Sequence, residues 1–199
     1  EDLRSLPIFT IDGADTKDID DAVCVQRTGY GYRLGVHIAD VSHYVRPGTE
    51  LDKEAFRRGT SVYYADAVVP MLPRALSNGI CSLDEGKDRL AFSCIMELDG
   101  AGRVTDVRLA KTVVCSRVKG VYSEVNALLD GTADEEMQKK YAPVAAGLPL
   151  LEEVYEKLAA LRAARGAMDI ENDEAKLILD SEGRCVDVRK QARGKAERM

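Results

Sequence analysis

The stretch Thr10-Ile11-Asp12-Gly13-Ala14-Asp15-Thr16-Lys17-Asp18-Ile19-Asp20-Asp21-Ala22-Val23 sets five carboxylates within ten residues against a single lysine. Packed together without a cation, such groups repel one another and some must take up protons. A divalent ion removes the conflict. Oxygen-only ligands, with Gly13 allowing a tight bend, suit a hard ion such as magnesium, which keeps waters and binds through a few carboxylates plus substrate phosphates. Two such ions about 3.5–4 Å apart can activate a water and stabilise the leaving oxygen of a phosphodiester. Two other readings compete: a solvated acidic turn and a calcium loop. The calcium loop requires glycine at its sixth position and glutamate at its twelfth. Counted from Asp12 those places hold Lys17 and Val23, and counted from Asp18 the glycine's place holds Val23, so that reading fails. The solvated turn stays open on residue types alone.

Outward from this stretch, the first half of the chain reads as strands joined by turns. Ala22–Arg27 and Tyr32–Ala39 are valine-, leucine- and isoleucine-containing runs separated by Gly29-Tyr30-Gly31. Thr49 with Asp52 resembles a capping box that opens a short helix ending at Gly59. Val68–Leu83, with Pro70, Pro73 and Gly79, reads as a structured loop. Ala91–Leu98 and Arg103–Ser116 read as strands around an Asp99-Gly100-Ala101-Gly102 turn. The second half turns helical, from an N-cap at Ser123 to Leu129 and again over Leu148–Arg165, where apolar residues follow helical spacing. Ala175–Leu179 and Cys185–Arg189 form a predicted hairpin, and a further helix is expected from about Gln191 to the last residue, Met199. A chain stopping inside a helix is expected to be a truncated piece. The fold expected is α+β: a mixed, mostly antiparallel sheet packed by helices, with strands early and helices late.

Composition narrows the classes. The chain has 199 residues, enough for one domain with its own core, and 45% of them are hydrophobic. No apolar run is long enough to span a bilayer, so no membrane role is expected. Five scattered cysteines, with no CxxC pair, read as reduced thiols of a cytoplasmic protein. The net charge of −6, taken alone, argues against a nucleic-acid partner, because phosphate-binding surfaces are normally basic. That average misleads where acids are concentrated around a cation.

The aspartate stretch, with Asp2-Leu3-Arg4-Ser5-Leu6-Pro7 before it, resembles the signature of the ribonuclease II/ribonuclease R (RNB) family of exoribonucleases. The blocks HIADVSHYVRPGTELDKEAFRRGTSVYY (37–64), VVPMLPRALSNGICSL (68–83) and RGAMDIENDEAKLIL (165–179) resemble that family in the same order. The resemblance implies that residues 1–199 are the first part of an RNB catalytic domain, with the later part and the flanking cold-shock and S1 domains outside this chain. It implies magnesium-dependent hydrolysis, with manganese as a substitute, of single-stranded RNA. Degradation would run processively from the 3′ end and release nucleoside 5′-monophosphates. The chain alone is expected to be poorly active, and the protein monomeric.

The resemblance places metal ligation on Asp12, Asp18, Asp20 and Asp21. Asp20 and Asp18 carry catalytic roles, Asp20 by supporting a second metal or orienting the attacking water. Asp15 is left outside the core set. Tyr63 stands where the family stacks an aromatic residue on the terminal base, a contact worth about 1–3 kcal/mol per base; the plain alternative is a core or edge-strand tyrosine, and Tyr64 stands beside it. Arg74 is expected to line the RNA path or to shape a packing loop. Ile170 occupies the place of a phenylalanine that forms the other side of the base clamp in related sequences, and isoleucine presses on a base without stacking. His37, Asp40, His43 and Tyr44 are read as structural, because a metal-activated water does without an imidazole base. The rival functional reading is a catalytically silent RNA-binding relative, and a calcium-stabilised scaffold is a third.

Overall fold

The computed structural model describes residues 1–168, 174–191 and 193–199. Strands β1 (Thr10–Asp12), β2 (Asp21–Arg27) and β3 (Gly31–Ala39) lead into helices α1 (Val41–Tyr44) and α2 (Glu50–Arg58). The short strands β4 (Val62–Tyr63) and β5 (Val68–Val69) precede a π-helical turn at Leu76–Ile80. Then come β6 (Asp88–Asp99), β7 (Val104–Cys115) and β8 (Lys119–Val121), followed by α3 (Tyr122–Leu129), α4 (Glu135–Tyr141) and α5 (Gly147–Ala164). A hairpin of β9 (Glu174–Leu179) and β10 (Cys185–Gln191) follows.

The central sheet runs β2-β3-β6-β7, antiparallel throughout, while β1 pairs in parallel with β8. This is the expected α+β arrangement. Alternation along the strands feeds two cores. Val25, Tyr32, Leu34 and Leu98 join Phe9 and the helical residues Val125, Leu148, Leu151 and Val154 on one side. Ala22, Cys24, Ala39, Ala91, Ile95 and Val114 join Leu3, Ile8, Ile19 and Leu83 on the other.

Helix α2 begins as its cap predicts: Asp52 N–H donates to Thr49 Oγ1, and Gly59 closes the helix with φ of 74°. Three expectations need correction. Ser123 is not an N-cap but lies inside α3, which starts one residue earlier because the Tyr141 hydroxyl, 2.9 Å away, accepts the Val121 N–H. Among the described residues no helix forms from Gln191. Antiparallel pairing with β9 extends β10 to that residue, and Lys195–Met199 makes a turn that Asn126 holds through Ala196 N–H (2.9 Å) and Glu197 Oε2 (2.9 Å). Val68–Leu83 is more regular than a loop, since Val68 and Val69 pair with Tyr63 and Val62. Helix α4 is an addition to the expected elements, and Asp134 caps it by accepting the Met137 N–H at 2.8 Å.

His37 is fully buried. Its Nδ1 lies 2.7 Å from Ser93 Oγ and its Nε2 3.4 Å from Cys24 Sγ, with Ser93 passed on to Thr112 at 2.6 Å. Burial pulls its pKa down to about 4, so the imidazole is neutral and structural. The unfolded chain takes up that proton near pH 6.5. Stability from this site is therefore complete above pH 6.5 and declines as pH falls toward 4, by at most about 1.4 kcal/mol per pH unit. NMR titration of the His37 ring is expected to show it unprotonated until about pH 4; a midpoint near 6.5 for that ring would contradict this burial.

Candidate active site

Three backbone staples place the acidic stretch. The first is the β1–β8 pairing, which sets Asp12 opposite Val121. Gly120 permits it, because a β-carbon there would lie 2.3 Å from the Thr10 carbonyl oxygen. The second is Ile19, 2% exposed, whose N–H donates to Ser82 Oγ (3.2 Å) and whose carbonyl accepts from Leu83 N–H (2.9 Å). The third is the Ala39 N–H, which donates to the Asp20 carbonyl at 2.8 Å as Asp21 opens β2 opposite Ile38. Around Asp12, Oδ1 accepts from Gly13 N–H (2.7 Å) and Thr16 Oγ1 (2.9 Å), while Lys119 Nζ holds the Thr16 carbonyl at 2.7 Å.

These staples bring Asp12, Asp18, Asp20 and Asp21 into one electrostatic neighbourhood. Burial raises the Asp20 pKa, and the charges of Asp18, Asp21 and Asp12 raise it further. Asp21 is raised by burial and then by Asp12. Among the described residues, no three His, Cys, Asp or Glu side chains stand close enough to enclose an ion by themselves. An all-oxygen donor set with crowded charge fits magnesium, which takes a few carboxylates and fills its remaining positions with water and substrate oxygens.

Tyr63 donates its hydroxyl to Asp18 Oδ2 at 3.0 Å, and that bond raises its pKa ahead of burial and the charges of Asp18 and Asp20. Exposure does not separate the two neighbouring tyrosines, at 65% for Tyr63 and 63% for Tyr64; the bond to Asp18 does. Arg74 reaches the same hairpin, donating to the Val68 carbonyl at 3.2 Å opposite Tyr63. Its guanidinium thus braces β5 from an exposed position. Ile170 lies outside the described residues. His43 is exposed and packs edge-on against Tyr44. Asp40 is buried, which favours its neutral form, but Ser42 (2.6 Å) and Lys111 (2.9 Å) prevail and hold its carboxyl below the usual range.

Two neighbours of the acids escaped the sequence reading. Tyr122 has its hydroxyl pKa raised by burial and by Asp12 and Asp21, and Cys81 its thiol by burial and by Asp20. Both arrive through long-range pairing, Tyr122 through β8 and Cys81 through the segment that staples Ile19.

The profile of the RNB domain matches residues 1–199. The chain belongs to the RNB family. It is 48% identical over its whole length to ribonuclease R 1 of Lactococcus lactis subsp. lactis (strain IL1403), of which it spans 24%. All of it superposes on 30% of Mycoplasma genitalium RNase R, solved in complex with ribose-methylated single-stranded RNA, with a TM-score of 0.94 and 31% identity. The chain thus spans about a quarter to a third of these relatives. Yeast Ssd1, described as a pseudonuclease, shares the fold at 21% identity and a TM-score of 0.68, over 82% of this chain and 19% of its own. Among the described residues no helix is long and apolar enough to cross a membrane.

Replacing Gly120 by alanine is expected to force β1 from β8 and displace Asp12, at a cost of about 1–3 kcal/mol. Urea unfolding of Gly120→Ala checks this, and unchanged stability would contradict the close approach.

Proposed function

We propose that this chain supplies the carboxylate half of the active site of an exoribonuclease that degrades single-stranded RNA from its 3′ end, processively and to nucleoside 5′-monophosphates. The observation that carries the reading is the convergence of Asp12, Asp18, Asp20 and Asp21 next to an exposed tyrosine in a member of the RNB family. Such an enzyme would act as a monomer in the cytoplasm, with the remaining phosphate-gripping parts lying beyond these residues.

Magnesium, or manganese in its place, would be held by Asp12, Asp18, Asp20 and Asp21 and would supply charge stabilisation and a water of lowered pKa. The chain's own residues then have distinct tasks. Asp12 is oriented by Gly13 and Thr16, so one oxygen is committed to the protein and the other is left for a ligand. Asp20 is exposed, and the charges of Asp18, Asp21 and Asp12 bear on it, which suits it to support a second metal or orient the attacking water. Tyr63, tethered through its hydroxyl, offers its ring face to a terminal base, and stacking of that kind is indifferent to sequence. Arg74 steadies the hairpin that presents the ring. Ile170 would press on the opposite side of the base.

A silent RNA-binding relative remains the second reading, favoured by one observation: the same fold is carried by a protein described as a pseudonuclease. Catalysis separates the two. In the intact protein, Asp20→Asn is expected to slow release of monophosphates from 5′-labelled RNA by about 10²–10³-fold with RNA binding retained. Undiminished release would remove Asp20 from the chemistry, and no release from the unaltered protein would favour the silent relative. Tyr63→Ala is expected to change the length of the final undigested fragment, and an identical end product would count against stacking.

A further inference from the structure

The β9–β10 hairpin stands apart from both cores. Its residues 175–177 and 185–190 are exposed, including Leu177, Val186 and Val188. A two-stranded hairpin is marginal by itself in water, so charge placement along it matters. The register sets Arg189 directly opposite Lys176, and like charges in that relation are destabilising. Arg189 shares Asp187 at 2.8 Å, while among the described residues Lys176 has no ion-pair partner. Arg189 is thus paired, while among the described residues Lys176 directly opposite it is not.

The position of the hairpin gives this excess a use. Gly183, at its tip (φ 77°), meets the β4–β5 turn: a β-carbon there would lie 3.9 Å from Asp66 Oδ2. That turn is closed by the Tyr64 N–H donating to the Ala67 carbonyl at 2.8 Å, and it adjoins Tyr63, whose hydroxyl holds Asp18. The Lys176–Arg189 pair thus belongs to an arm whose tip approaches the turn that adjoins Tyr63.

Building on the exoribonuclease reading above, we propose that Lys176 and Arg189 form a cross-strand phosphate clamp that grips the backbone of single-stranded RNA outside the acidic site. A phosphate between them offers several acceptor oxygens. It can take the guanidinium through two donors and the ammonium through one, turning the like-charge pair from a liability into a binding element. The clamp reads no sequence, because phosphate contacts position a strand without specifying it.

The test is single-stranded RNA binding by the intact protein across a range of salt, in the presence of calcium to block turnover. Each phosphate contact contributes about 0.7 to the slope of log affinity against log salt for a single strand. Lys176→Ala with Arg189→Gln is expected to lower that slope by about 0.7, the share of one phosphate, and Lys176→Ala alone by part of it, while Lys176→Arg retains it. Thermal stability of Lys176→Ala should be equal or higher, since a like-charge pair is relieved; a drop in stability with an unchanged slope would make Lys176 merely structural and overturn the clamp. Binding unaltered in both variants overturns the clamp and leaves the exoribonuclease reading standing. Failure of the unaltered protein to bind RNA would overturn both.

Discussion

The structure depends on holding like charges together. Two unit charges about 6 Å apart, at an effective dielectric of about 20, repel by roughly 3 kcal/mol. Full burial of one isoleucine side chain contributes about 1.5–3 kcal/mol. The Ile19 anchor is therefore of a size to offset one repulsion of that kind. The hydrogen bonds from Ser82, Leu83 and Ala39 fix where the backbone runs, and they leave the surplus repulsion in place. A proton or a cation relieves it, and Asp20 and Asp21 are both raised toward the protonated side by burial and by neighbouring carboxylates.

The rest of the fold follows from where that stretch is anchored. β1 ends at Asp12 and β2 begins at Asp21, so the acidic loop bridges the β1–β8 pair and the four-stranded sheet. Gly120 permits the first anchor and Ile19 ties the loop to the segment before β6. The long excursion between β3 and β6 returns Tyr63 to Asp18 and places Ser82 under Ile19. An acidic chain is thus compatible with a polyanionic partner, because the negative charge gathers where a cation would mediate.

Local signals were legible in the sequence and long-range ones were not. The capping box at Thr49 and the alternation in β2 and β3 are decided by neighbouring residues, and they stand as read. Crowding of five carboxylates is visible in residue types alone, whereas the choice of Asp12, Asp18, Asp20 and Asp21 among them rests on the resemblance to the RNB family. Tyr122 and Cys81 could not, since their nearness to the acids is created by pairings far along the chain. Ser123 misled for the same reason: the hydroxyl of Tyr141, not a local cap, fixes where α3 begins. The final residues misled because Asn126, on a distant helix, bends them into a turn.

The most direct test of the account is manganese binding to the intact protein, followed by electron paramagnetic resonance. The account predicts bound manganese that magnesium displaces, and its loss when Asp12 and Asp20 are both changed to asparagine in a protein that still folds. Manganese uptake unchanged in that double variant would contradict it, and the crowding of these carboxylates would then have to be relieved by protons alone.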